Sequence, residues 1–132
     1  MVALVAACQA QLIPGTDAAS AASPPASRGE DAGALLLQRI DAEIGNAACS
    51  SDSDCRTLPI GSKACGGPAR WVAWSAQVSD AQRLQTLALA LAQQQRQRDM
   101  ADGRMSTCSV VPDPGASCAA GSCTLATRNP RR

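Results

Sequence analysis

Six cysteines, Cys49, Cys55, Cys65, Cys108, Cys118 and Cys123, offer more chemistry than any other side chains in this sequence, and their spacing narrows what that chemistry is. Structural zinc sites pair cysteines or histidines at roughly two to four intervening residues and need two such pairs. The successive gaps here are five, nine, forty-two, nine and four residues, and the chain has no histidine. Only Cys118 and Cys123 come near the zinc spacing, with no second pair to match them. Redox catalysis asks for a low-pKa thiol in Cys-x-x-Cys at the start of a helix. Cys65 precedes an expected helix, but no cysteine follows at that distance. An even set of six is instead the number for three disulfides, which persist in oxidising compartments. Their connectivity does not follow from spacing; pairing Cys118 with Cys123 and Cys65 with Cys108 is preferred. No metal and no cofactor is expected.

The remaining candidates weaken on inspection. Asp52-x-Asp54 begins like a calcium loop, yet Arg56 takes the next ligand position, Thr57 replaces the turn glycine and no Glu closes the loop. A solvated turn whose carboxylates cap neighbouring amides is the better reading. Ser62-Lys63 would need two adjacent side chains to converge, and a serine nucleophile has no histidine base here. The acidic residues sit in expected turns or on polar helix faces, not as a pair in a cleft. Trp71 and Trp74 are the only aromatic residues, since Phe and Tyr are absent. At i and i+3 they would share one helix face and form the heart of the core; the sharper alternative exposes one as an anchor for a protein partner.

Positioning these residues takes a small domain. A helix is expected from about Glu30, with Leu36, Leu37, Ile40 and Ile44 at helical spacing and Gly45-Asn46 to stop it. Ser50 to Cys55 reads as a turn, and Cys55 to Ile60 as a strand for which Pro59 indicates an edge position or an early end. Cys65-Gly66-Gly67-Pro68 should reverse the chain into a second helix carrying Trp71, Val72, Trp74 and Ser75. Ser79-Asp80 can cap a longer helix with an apolar stripe of Leu84, Leu87, Ala88 and Leu91. Its wholly polar stretch from Gln93 to Arg98 should stand in solvent until Gly103 ends it. Cys108 to Val111 reads as a short strand, and Ser117 to Thr127 as a hairpin turning at Ala120-Gly121, with Cys118 opposite Cys123. The expected fold class is α+β: about three helices on a short antiparallel sheet of about three strands, stapled by cystines. A core without Phe or Tyr is light, and three disulfides at about 2–4 kcal/mol each would offset that.

The seventh cysteine stands apart. Cys8 follows Val5-Ala6-Ala7, a run that resembles the lipobox of bacterial lipoproteins: a branched apolar residue, two small residues, then the cysteine that is acylated and becomes the mature N-terminus. The family pattern also has a basic segment and an apolar stretch before the box, whereas seven residues precede Cys8 and none is basic. That leaves a start lying further upstream, or a fortuitous box with Cys8 in a signal remnant. On the lipoprotein resemblance, residues 1–7 are the end of a signal peptide, 8–29 a lipid-anchored tether rich in Ala, Ser and Pro, and 30–132 the disulfide-rich domain. Gln9 after the cysteine implies the periplasmic side of the outer membrane. A second resemblance runs from about residue 46 to 127. Cys49, Asp52-Ser53-Asp54-Cys55, Cys65-Gly66-Gly67-Pro68, Trp74-Ser75, Cys108, Cys118 and Gly121-Ser122-Cys123 are similar to small cysteine-rich proteins, secreted or lipid-anchored, of proteobacteria. It implies a compartment and disulfides, and no activity.

Twelve basic and eleven acidic side chains leave a net charge of +1, which provides no strong field for nucleic acid or an acidic partner. The basic end, Arg128 to Arg132, reads as a frayed tail, with contact to acidic lipid headgroups as the alternative. The expected role is a non-enzymatic one: an envelope lipoprotein whose rigid domain binds an unidentified protein, in the manner of an inhibitor or immunity protein. The alternative is a structural or assembly component of an envelope complex, for which the anchor and tether matter most.

Overall fold

A computed structural model describes the backbone of residues 25–126 and the side chains from residue 30 onward. Cys8, the rest of the expected anchor and most of the tether lie outside the described residues, as does the basic C-terminal tail. The order is α1 (Pro25–Ile44), a 3-10 turn (Asp52–Asp54), β1 (Cys55–Ile60), β2 (Arg70–Ser75), α2 (Ala81–Asp102), β3 (Ala116–Ala119) and β4 (Ser122–Leu125). The fold is α+β as expected, but the expected three helices and three strands give way to two helices and two antiparallel two-stranded sheets. No helix among the described residues is long and apolar enough to cross a membrane.

α1 and α2 are antiparallel neighbours, held at one end by Arg83–Glu43 and at the other by Arg98–Glu30. α1 begins at Pro25, inside the segment expected as tether; proline is accepted in a first helical turn because the missing N–H has no partner there anyway. Asp80 caps α2 by accepting from the Arg83 amide at 2.9 Å, and Gly103 closes it in a left-handed conformation. Ile40 from α1, Leu84, Ala88 and Leu91 from α2, and Leu58, Ile60 and Trp74 from the β1–β2 pair form the main core. The polar stretch of α2 does not stand free. Gln95 Oε1 accepts from the Ser62 amide at 2.8 Å, and Arg98 reaches Glu30. Polar side chains there dock the helix onto β1's exit loop and onto α1.

The largest departure from expectation is β2. Residues 70–75 form a strand, with Cys55 opposite Ser75 and Ile60 opposite Arg70, where a helix was expected. Six residues are too few for periodicity to separate helix from strand. Two Trp and a Val fit a pleated surface, and β1 supplies the hydrogen-bonding partner. Trp71 and Trp74 consequently face opposite ways rather than sharing a face. Leu58, Ile60, Val72 and Trp74 turn toward the helices. On the other face, Cys55 and Ala73 meet the β3–β4 hairpin in a second, smaller core with Ala47, Cys49, Cys118 and Cys123. Ser75 is buried and satisfied, its hydroxyl donating to the Ala48 carbonyl at 2.6 Å and accepting from the Gln77 amide.

The hairpin forms as expected. Ala120 and Gly121 both take positive φ, 50° and 78°, the geometry of a type I′ turn. β4 is fastened to the end of α1 by Cys123 N–H to Ala47 O and Cys49 N–H to Gly121 O. Residues 108–111 are not a strand. Pro112 and Pro114 follow, and the segment takes its contacts from side chains of Lys63 and Trp71 instead of from a strand ladder.

All six cysteines of the domain are oxidised: Cys49–Cys118, Cys55–Cys123 and Cys65–Cys108. The Cys65–Cys108 pairing matches the sequence preference. Cys118–Cys123 does not form, although the two are cross-strand neighbours. The hairpin lays them side by side against Cys49 and Cys55, and each crosslinks there. Those bonds span 69 and 68 residues and restrict the unfolded chain far more than a link within one hairpin would.

Candidate functional site

The site candidate is an open groove of about 590 Å³ between β1 and one side of α2. Trp74 and Leu58 lie at its floor, Pro59 and Pro68 on the strand side, and Leu89, Ala92 and Arg96 on the helix side. Leu89 is 68% exposed, a large apolar side chain left at the rim. Trp74 is only 7% exposed, and its indole N–H donates to the Thr57 carbonyl at 3.3 Å. That bond fixes the ring plane and leaves the ring as apolar floor.

The Cys-Gly-Gly-Pro element builds the lip of the groove. Gly66 and Gly67 have φ of 101° and 76°, so two consecutive residues sit where a side chain would be strained. They fold the loop back on itself through Gly66 N–H to Lys63 O and Lys63 N–H to Gly67 O. Gly61, φ 74°, lets the chain pass against Gln95; a Cβ there would collide with the Gln95 side-chain oxygen. The loop is then pinned from outside. Cys65 is bonded to Cys108, its amide donates to Ser106 Oγ, and the Lys63 ammonium donates to the Ser109 carbonyl and hydroxyl. A cystine, a lysine and two glycines hold one wall of a groove whose other wall is a helix.

Other residues singled out in the sequence have structural roles. Trp71 is half-buried on the opposite face, its indole N–H donating to the Val111 carbonyl at 2.9 Å. Lys63 points to residues 107–109 and the Ser62 hydroxyl bonds the Lys63 carbonyl, so the two make no Ser–Lys pair. Asp52 accepts from the Cys118 amide, tying the 3-10 turn to β3. Asp54 accepts from the amides of Ser50 and Ser51, both at 2.9 Å, and these bonds hold its carboxyl below the usual value. Both carboxylates cap amides, as the turn reading expected. The sulfurs of Cys49, Cys55 and Cys123 lie within 4.8 Å of one another, but all three are in disulfides, which leaves no thiolate for a metal.

Comparison with known proteins finds no matching family model, no matching curated protein and no matching solved structure.

Sequence reasoning named Trp74 and the Cys-Gly-Gly-Pro loop but not the helix side of the groove. One signal was there. Leu89 falls off the stripe formed by Leu84, Leu87, Ala88 and Leu91, an apolar residue for which the core has no place.

Proposed function

We propose that this chain is a non-enzymatic envelope lipoprotein, anchored through Cys8, whose cystine-stapled domain binds a protein partner through the groove beside Trp74. The observation that carries this reading is the groove itself: an open apolar surface with Leu89 exposed at its rim, walled by a loop that a disulfide pins. Trp and Arg at a concave pocket are the pattern of interface hot spots, and here Trp74 floors the groove and Arg96 stands on its wall. A wall already ordered in the free protein spares about 0.5–1.5 kcal/mol for each side chain that would otherwise be immobilised on binding. The compartment rests on the lipobox-like Val5-Ala6-Ala7-Cys8 and on oxidised cysteines.

The test is retention of an envelope protein by the wild-type chain and by Leu89→Glu. Leu89 is exposed, so the substitution leaves the core intact while placing a charge at the rim. A defined partner held by the wild type and at least tenfold less by L89E supports the reading. Equal retention by both, or turnover of a substrate by the purified chain, overturns it.

A further inference from the structure

The charges around the groove say more about what it binds. α2 carries Arg83, Arg96 and Arg98, and Arg104 follows just beyond its end. Arg83 pairs with Glu43, Arg98 with Glu30 and Arg104 with Asp102. Arg96 alone among these four has no carboxylate within 4.0 Å among the described residues. It stands on the wall of the apolar groove, where that groove runs past Gly66 into a second depression lined by Lys63, Asp99 and Met100. Of the charges there, the Lys63 ammonium is engaged by Ser109 and Thr107, and the Asp99 carboxylate forms no ion pair within 4.0 Å among the described residues. A guanidinium beside apolar surface, with its planar fork unmatched, suits a carboxylate delivered by a ligand.

The strand side of the groove argues against strand addition. Pro59 has no N–H to offer, the Cys55 carbonyl accepts from Arg56, and the Thr57 carbonyl accepts from the Trp74 indole. With these two carbonyls engaged by Arg56 and by Trp74 of β2, and no N–H at Pro59, that edge offers few groups to a ladder, so an incoming chain would be held mainly by side chains. Leu89 and Arg96 are seven residues apart, about 10 Å along the helix at 1.5 Å per residue, which is about three residues of extended chain at 3.3 Å each. Side chains two or four positions apart on an extended chain share a face and bracket that distance.

Resting on the protein-binding reading above, we infer that the groove receives an extended peptide segment presenting an apolar side chain and an acidic one two or four residues apart. The apolar side chain sits on Trp74 and Leu89 and the carboxylate on Arg96.

The probe is a random heptapeptide library selected on the oxidised full chain and, in parallel, on Arg96→Gln. Selected sequences are then followed by NMR, where the two indole N–H signals of Trp74 and Trp71 report the groove and the opposite face. The expected result is enrichment of Asp or Glu two or four positions from Leu, Ile, Val or Phe on the wild type and loss of that acidic preference on R96Q. Enriched peptides shift the Trp74 indole and leave Trp71 in place, and Glu→Gln in the peptide weakens binding at least fivefold on wild type only. Enrichment without acidic residues, or no enrichment, overturns the inference, as does dodecanoate shifting Trp74 with Arg96 dependence where no peptide does. If L89E still abolishes partner retention in any of those cases, protein binding stands and only the acidic-peptide specificity falls.

Discussion

Trp71 and Trp74, three residues apart on β2, stand on opposite faces of the same two-stranded sheet, and each donates its indole N–H to a backbone carbonyl: Val111 at 2.9 Å and Thr57 at 3.3 Å. One ring closes the helix-side core and floors the groove. The other fastens residues 108–112 to the hairpin side. A sheet of only two strands is marginal by itself, and here each face is sealed by one of the chain's two large rings.

The two tryptophans should therefore differ in what they contribute to stability. Trp74→Ala removes a 7% exposed ring from the main core and should cost about 3–5 kcal/mol. Trp71→Ala, at a half-buried position, should cost about half as much. Urea unfolding followed by circular dichroism measures both; equal losses would contradict the two-faced arrangement.

The three disulfides should reduce in a defined order. Cys65 and Cys108 are exposed, whereas Cys55 and Cys123 are 6% and 7% exposed. Under mild reductant, alkylation and mass analysis should find Cys65 and Cys108 modified first. The paired change Cys65→Ser with Cys108→Ser should leave the hairpin and helices folded while loosening the groove lip. Cys55→Ser with Cys123→Ser should cost about 2–5 kcal/mol.

At the lip, the glycines separate strain from collision. Gly66→Ala meets nothing within 4 Å and carries only the positive-φ penalty, whereas Gly61→Ala carries that penalty and also displaces Gln95 from the Ser62 amide. Each penalty is about 1 kcal/mol; the lost hydrogen bond adds about another 1 kcal/mol. Thermal unfolding should show a larger drop for G61A than for G66A.

Asp54 predicts an acid limb of stability. The amides of Ser50 and Ser51 stabilise its charged form and lower its folded pKa from 3.8. A carboxyl depressed in the folded state adds stability above its unfolded pKa, and that contribution is lost as pH falls through the folded value. Stability of the wild type should fall more steeply below pH 3.8 than that of Asp54→Asn. Chemical unfolding at a series of acidic pH values distinguishes the two slopes.

Much of the fold was legible where the signal is local. The Asp80 cap, the Gly103 stop, the strand from Cys55 to Ile60 and the Ala120-Gly121 turn each depend on a few adjacent residues, and each formed where expected. The capping roles of Asp52 and Asp54 were legible for the same reason. Identity of residues 70–75 was not, because a six-residue run becomes strand or helix according to the partner it meets, and here the partner is β1.

By itself the sequence determined that six cysteines form one oxidised set, that the chain turns at Gly66-Gly67 and at Ala120-Gly121, and that apolar side chains line one stripe of α2. Tertiary structure alone decided which cysteines meet, that the two tryptophans part to opposite faces, and that Leu89 and Arg96 border a groove. The physical reason is range. Caps, turns and helical stripes are set by neighbours within a turn of chain, whereas disulfide partners 68 and 69 residues apart and a groove between a strand and a helix exist only once distant segments have packed.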